Sequence, residues 1–157
     1  MVKAPLGSGK SYQARRLQYS RICSLTSTRS LAVKTCRITG YANYQDIPHS
    51  TPLSWVDKVV VLAPSLYRMK HDFEKFHCLI IEECESVLHD IFRRPCRGAK
   101  FELILEVFTL LMNTTPKILF MDGFLKNSSL SVATNFAPSL KDIRLLIATY
   151  TIDRGTL

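Results

Sequence analysis

Three short runs of consecutive apolar residues constrain the fold of this chain more than any other feature. They are Val59–Leu62, Leu79–Ile81 and Ile118–Phe120, and none of them shows the polar/apolar alternation of a half-exposed strand. Runs of this length, rich in β-branched and aliphatic residues, are typical of strands that are buried on both faces. Such strands need helices above and below them, so the runs indicate a parallel sheet between two helical layers.

Strand-like and helix-like segments alternate along the 157 residues, which is the order expected of a parallel α/β sheet. The predicted strands are Ile22–Thr26, Lys58–Ala63, Cys78–Ile81, Lys117–Met121 and Arg144–Thr149. The predicted helices are Lys10–Tyr19, Arg29–Ile38, Cys84–Phe92 and Phe101–Met112. No apolar run approaches the ~18 residues that a membrane-spanning helix needs, so no membrane association is expected.

The segment Ala4–Ser11 matches the phosphate-loop pattern GxxxxGK(S/T), with alanine in place of the first glycine. Glycines at this spacing let backbone N–H groups surround a phosphate, and the helix that follows points its positive dipole end at the same anion. Lys10 is expected to reach the β- and γ-phosphates of ATP, and Ser11 to ligate Mg²⁺. The predicted cofactor-binding residues are Gly7, Ser8, Gly9, Lys10 and Ser11.

This loop turns the general α/β prediction into a specific one. The chain is expected to form the three-layer sandwich of a P-loop NTPase (RecA-like), with a mainly parallel sheet. Such a loop normally follows a buried strand, and only Met1–Lys3 precedes it here. The first strand is therefore expected to be missing, which would leave the loop without a rigid support.

An acidic cluster follows one of the buried strands and complements the phosphate loop. Glu82 occupies the position expected to hold Mg²⁺, and Glu83 the position expected to polarise the attacking water as the catalytic residue. The alternative interpretation is a surface cluster that favours the N-terminal dipole of a helix. Because nucleotide-hydrolysing proteins usually have Asp where Glu82 stands, the sequence supports binding of ATP more strongly than its hydrolysis.

The positive charge is concentrated at one end of the chain. Residues 1–45 contain eight Lys and Arg and no Asp or Glu, whereas basic and acidic residues are equal in number in the rest of the chain, for a net charge of +8. This asymmetry indicates a polyanionic partner, either nucleic acid or nucleotide phosphates, with a solvated helix face as the alternative.

The five cysteines favour a reducing, intracellular location, because their number is odd and they form no CxxC pair. The cysteine and histidine spacings also match no standard zinc pattern, so no zinc site is expected. The residues concerned are His77, Cys78, Cys84, His89 and Cys96.

The order of motifs resembles the N-terminal motor domain of the herpesvirus-type replication origin-binding protein family, which are superfamily-two DEAD/H-like helicases. The motifs that carry the resemblance are Ala4–Ser11, Ser27–Ala32, Tyr41–Ile47, Val61–Arg68, Leu79–Leu88 and Ile118–Leu125. The resemblance implies ATP-driven DNA unwinding at replication origins, and therefore a nuclear location. It also implies contact with nucleic acid at Ser27, Thr28, Arg29, Ser65 and Arg68, although a plain helix N-cap explains Thr28 equally well.

Residues 1–126 are predicted to form the ATP-binding helicase domain. Residues 127–157 are predicted to hold either the last strand of that domain or the remnant of a second motor domain. Hydrolysis is expected to be weak in this chain alone, because of Glu82, the missing strand and the missing second domain. Two alternatives stay open: a non-hydrolysing nucleotide- and DNA-binding remnant, and a small-molecule P-loop kinase.

Overall fold

The computed structural model describes residues 2–3, 10–69, 75–92, 99–122, 131, 134–135 and 146–147. The strands in these residues are β1 (Val2–Lys3), β2 (Ile22–Thr26), β3 (Ala42–Asn43), β4 (Lys58–Leu62), β5 (Cys78–Glu82), β6 (Lys117–Asp122) and β7 (Leu146–Ile147). The α-helices are α1 (Lys10–Arg15), α2 (Arg29–Thr39), α3 (Cys84–Phe92) and α4 (Ala99–Thr114). Two 3₁₀ helices, Leu53–Trp55 and Ala63–Arg68, flank β4.

The described strands form one sheet in the order β3-β4-β2-β5-β6-β1-β7, and every pairing in it is parallel. Helices α1 and α2 pack against each other, whereas α3, α4 and the 3₁₀ helix Ala63–Arg68 form a separate packed group. The two groups cover opposite faces of the sheet, as parallel strands require. The predicted three-layer, RecA-like α/β fold is therefore confirmed.

The core lies where the apolar runs predict it. All five residues of β2 and all five residues of β5 are buried, as are the three central residues of β4. From the helical layers, Phe108 and Ile91 are also almost completely buried. None of the helices in the described part of the chain has the length and apolar character that a membrane-spanning helix needs.

Most of the predicted elements have observed counterparts, and the main difference is at the end of the first helix. Helix α1 ends at Arg15, whereas the sequence pattern predicts a helix as far as Tyr19. The Ala14 carbonyl accepts the Leu17 N–H (3.2 Å) and the Tyr41 hydroxyl (3.0 Å), and the first of these is the short i→i+3 bond that closes a helix.

The prediction of a missing first strand was wrong. Val2–Lys3 forms a strand that pairs in parallel with β6 on one side and with β7 on the other. Lys3 lies opposite Asp122 and Ile147, so the chain enters the phosphate loop from within the sheet. Two residues suffice for this strand because hydrogen bonds from both neighbours hold it.

Helix α2 has defined caps at both ends. The Thr28 hydroxyl accepts the Leu31 N–H (3.3 Å), which satisfies one of the free donors of the first turn. Gly40 ends the helix in the left-handed conformation (φ 78°), and its N–H donates to the Cys36 carbonyl (2.8 Å). The Thr28 cap fixes the start of α2 immediately beside the carboxyl end of β2, and Gly40 fixes its end.

The structure predicts that the Tyr41 hydroxyl stabilises the packing of α1. Tyr41→Phe removes its hydrogen bond to the Ala14 carbonyl and should lower the free energy of unfolding by about 1 kcal/mol, measured by urea denaturation. Tyr44→Phe is the matched control, because Tyr44 is equally buried and its hydroxyl bonds to no other described residue. Equal losses in the two variants would contradict this role.

Candidate nucleotide and nucleic-acid site

The carboxyl ends of all described strands lie at one edge of the sheet because the strands are parallel. Glu82, at the end of β5, lies opposite Met121, and Asp122 lies opposite Lys3, which enters the phosphate loop. With strands about 4.8 Å apart, β5 and β1 are separated by about 10 Å. Parallel α/β sheets bind their ligands at this edge, where Glu82, Asp122 and the end of the strand that precedes the phosphate loop lie.

Glu82 is buried, with 4% of its surface exposed, and two hydroxyl groups hold its carboxylate. The Ser24 hydroxyl donates to Oε1 (3.1 Å) from β2, and the Thr35 hydroxyl donates to Oε2 (3.0 Å) from α2. The two hydroxyls therefore hold the carboxylate in one orientation.

Glu83 follows in a strained backbone conformation. Its φ of 50° is in the left-handed region, which costs a non-glycine residue about 1–2 kcal/mol. Its side chain is exposed, and Oε2 accepts the Ser27 hydroxyl (3.2 Å). The turn therefore directs the Glu83 carboxylate toward the segment that leads into α2.

Asp122 is a residue of this edge that the sequence analysis missed. It is buried, and its Oδ2 accepts the Glu85 N–H (3.0 Å) and the Cys84 thiol (3.6 Å). Its carboxylate thus contacts the first turn of α3, where a negative charge is favourable. The sequence does mark Asp122 as a candidate, because it directly follows a predicted apolar strand. No sequence feature predicts its contact with α3.

The phosphate loop is only partly described. Gly7, Ser8 and Gly9 lie outside the described residues, whereas Lys10 and Ser11 form the first turn of α1. The side chains of Lys10 and Ser11 also lie outside the description, so their predicted roles toward ATP and Mg²⁺ stay predictions. The helix does begin at Lys10, as the pattern requires.

Helix α1 and the Glu82 carboxylate lie on the same side of the sheet, and Tyr41 packs against α1 there. Its hydroxyl bonds to α1, as described above. Burial, together with the nearby Cys78 and Glu82, raises the pKa of Tyr41 to about 12. Because α1 packs against α2, and Thr35 of α2 bonds to the Glu82 carboxylate, the helix that follows the phosphate loop is on the face toward which that carboxylate points.

Three of the predicted nucleic-acid residues lie together at the same edge. Ser27 and Thr28 join β2 to α2, and Arg29 is the first residue of α2. Thr28 and Arg29 are exposed, and among the described residues Arg29 makes no ion pair. Thr28 acts as the helix cap, so the structural interpretation of this residue holds, and its predicted contact with nucleic acid stays a prediction.

The structure gives Arg68 a structural role that the sequence analysis did not anticipate. Its guanidinium donates to the carbonyls of Tyr44 (2.7 Å), Ile47 (2.8 Å) and Pro48 (3.1 Å). Arg68 thereby fixes the connection between β3 and β4. Ser65 is half-buried in the same 3₁₀ helix, and its predicted contact with nucleic acid stays a prediction.

The outer surface of α1 and α2 is basic. We call this the basic helical surface; its members are exposed and form no ion pair with any described residue. They are Arg15, Arg16, Arg29, Lys34 and Arg37. Five of the eight basic residues in the first 45 therefore lie exposed in α1 and α2 or directly after α1.

The three carbonyl contacts of Arg68 predict a stability effect. Arg68→Met keeps much of the side-chain volume but removes every donor, and it should lower the free energy of unfolding by about 2 kcal/mol. Chemical denaturation would measure this loss, with Arg37→Met as the exposed control that should unfold like the wild type. A stable Arg68→Met protein would show that the carbonyls do not need the guanidinium.

No protein-family model matches the chain, and no curated protein matches it. Solved structures do match. A variant of S. cerevisiae Dbp5 bound to RNA and ADP BeF3 is 13% identical with a TM-score of 0.62, over 95% of this chain and 41% of that one. A DEAD box protein from the hyperthermophile Methanococcus jannaschii is 18% identical with a TM-score of 0.62, over 94% of this chain and 44% of that one.

The chain thus spans less than half of the length of these structures. At such identities the likeness concerns the fold, and the resemblance to the origin-binding family stays a prediction. In its fold, this chain is similar to the motor domains of DEAD-box helicases.

Proposed function

We propose that this chain is a helicase-like motor module that binds ATP with Mg²⁺ at residues 4–11 and a nucleic acid strand at Ser27–Arg29. The observation that carries the proposal is the Glu82–Glu83 pair. One carboxylate is buried and oriented by two hydroxyls, the next belongs to a strained residue, and both lie at the sheet edge where β1 enters the phosphate loop. Strained residues of this kind cluster at functional sites.

In this proposal Lys10 and the N–H groups of residues 7–11 bind the phosphates at the N-terminus of α1. Glu83, held by the Ser27 hydroxyl, accepts a proton from the attacking water. The contact between Glu83 and Ser27 supports this proposal, because it joins the proposed base to the predicted nucleic-acid segment.

The chemistry of the donors fits Mg²⁺. Mg²⁺ takes oxygen ligands and is typically held by one or two carboxylates together with phosphates and water. Within the described residues no group of three acidic, His or Cys side chains forms a complete protein cage, and Mg²⁺ needs none. Glu82 and Ser11 would hold the ion, which when bound would offset the charge of the phosphates.

The basic helical surface supports the nucleic-acid half of the proposal. Its charges are exposed and unpaired among the described residues, and Arg29 extends them to the N-terminus of α2, where backbone N–H groups also favour a phosphate. The finer hypothesis, that the strand is origin DNA bound in the nucleus, rests on the motif resemblance alone. The solved Dbp5 structure contains RNA, so binding should be tested with both polymers.

Nucleotide binding should depend on Lys10. Lys10→Ala removes the charge that meets the β- and γ-phosphates, and it should weaken binding of a fluorescent ATP analogue at least about tenfold, or roughly 1.4 kcal/mol. Lys117→Ala is the matched control, because Lys117 is exposed at the opposite edge of the sheet. A folded Lys10→Ala protein with unchanged affinity would refute the phosphate-loop assignment.

Nucleic-acid binding should be electrostatic and should use the basic helical surface. Replacing Arg29 and Lys34 with Ala should reduce the salt slope of single-strand binding by about 1.4, at about 0.7 per lost contact. Replacing Arg93 and Arg94, which lie outside the described residues, should leave the slope unchanged. Titration with oligo(dT) and oligo(U) at several salt concentrations measures the slope of each variant. A slope reduced by the Arg93 and Arg94 replacements, and unchanged by those of Arg29 and Lys34, would show that the nucleic acid binds at another surface.

A further inference from the structure

Glu82 differs from the aspartate that nucleotide-hydrolysing proteins usually have, and the structure shows what accommodates the longer side chain. Ser24 and Thr35 belong to different elements, β2 and α2, yet their hydroxyls reach the two oxygens of the same carboxylate. Both residues are fully buried, and Glu82 is nearly so. A carboxylate shortened by one methylene would withdraw by about a bond length, which takes both contacts of about 3 Å beyond hydrogen-bond distance.

Thr26 is a second buried threonine, and it does not bond to Glu82. It is fully buried at the end of β2 and lies on the same face of that strand as Ser24, because side chains alternate along a strand. Its hydroxyl has no hydrogen-bond partner. Two buried threonines therefore lie in the same layer between β2 and α2, and Thr35 bonds to Glu82 whereas Thr26 does not.

We propose that Ser24 and Thr35 are positioning residues that orient Glu82 toward Mg²⁺, so that this site is built for glutamate and not for aspartate. The proposal rests on the proposed function, because it assumes that Glu82 holds the ion. Outer partners that orient a metal ligand typically contribute 10–100-fold to metal affinity. Helix α2, which begins at the predicted nucleic-acid contact, thus also supplies one of the two groups that set the metal ligand.

The experiment measures how much Mg²⁺ is needed for half-maximal binding of a fluorescent ATP analogue, and also the affinity for that analogue in EDTA. Thr35→Val should raise the Mg²⁺ requirement at least about tenfold and leave the EDTA affinity unchanged. Thr35→Ser, which retains a hydroxyl, should restore most of the loss. Thr26→Val is the matched control and should behave like the wild type, because it removes a hydroxyl without a partner.

Glu82→Asp is the decisive variant. We expect it to raise the Mg²⁺ requirement about as much as Thr35→Val does, although aspartate is the more usual ligand at such a position. Thermal unfolding confirms that each variant is folded, and Ser24→Ala replaces Thr35→Val if that protein does not fold.

The outcomes separate this inference from the proposed function. If Glu82→Asp needs no more Mg²⁺ than the wild type, or if Thr35→Val and Thr26→Val behave alike, the positioning role is overturned while ATP binding stands. If the wild type shows no Mg²⁺-dependent binding of the analogue, both the positioning role and the proposed function are overturned. Loss of EDTA affinity in Thr35→Val would show a general structural effect and also overturns the positioning role.

Discussion

The site depends on the pairing of strand β2 with a neighbour on each side. All five of its residues pair with β4, and four of them pair with β5. This double ladder fixes the register between Ser24 and the acidic end of β5, and it fixes where Ser27 and Thr28 emerge from the sheet. Since parallel pairing places every carboxyl end at one edge, β2 brings the start of α2 next to Glu82 and Glu83.

The sequence is sufficient to predict the elements that carry a strong local signal. Strand β2 and helix α3 have their predicted bounds, and β4, β5 and β6 differ by one residue, because apolar runs and helical periodicity are encoded locally. Strands β1 and β3 have only two residues each, which is too short for any period to show. The early end of α1 coincides with a hydrogen bond from the Tyr41 hydroxyl to the Ala14 carbonyl, and no local pattern predicts a contact between residues so far apart in the chain.

The sequence likewise predicts some residues of the candidate site and not others. The positions of Glu82 and Glu83 follow from the strand that precedes them, so the sequence identifies them as a pair. The roles of the surrounding polar residues cannot be predicted from the sequence, because it does not distinguish an arginine that binds nucleic acid from one that binds backbone carbonyls. Arg68 illustrates this, since only the folded chain shows its contacts with Tyr44, Ile47 and Pro48. Asp122 likewise acquires its role only when β6 lies beside α3.

The burial of Glu82 argues for function more strongly than any motif does. Moving a carboxylate out of water costs several kcal/mol, and the hydroxyls of Ser24 and Thr35 recover only part of that cost. Apolar side chains of similar volume at these three positions would serve the fold equally well or better, since replacing buried charged groups in this way is often neutral or stabilising. Apart from Thr26, the other buried residues of β2, β5 and α2 are apolar. The burial of this acid beside two hydroxyl donors therefore supports the proposed role of Glu82 toward a ligand at the sheet edge.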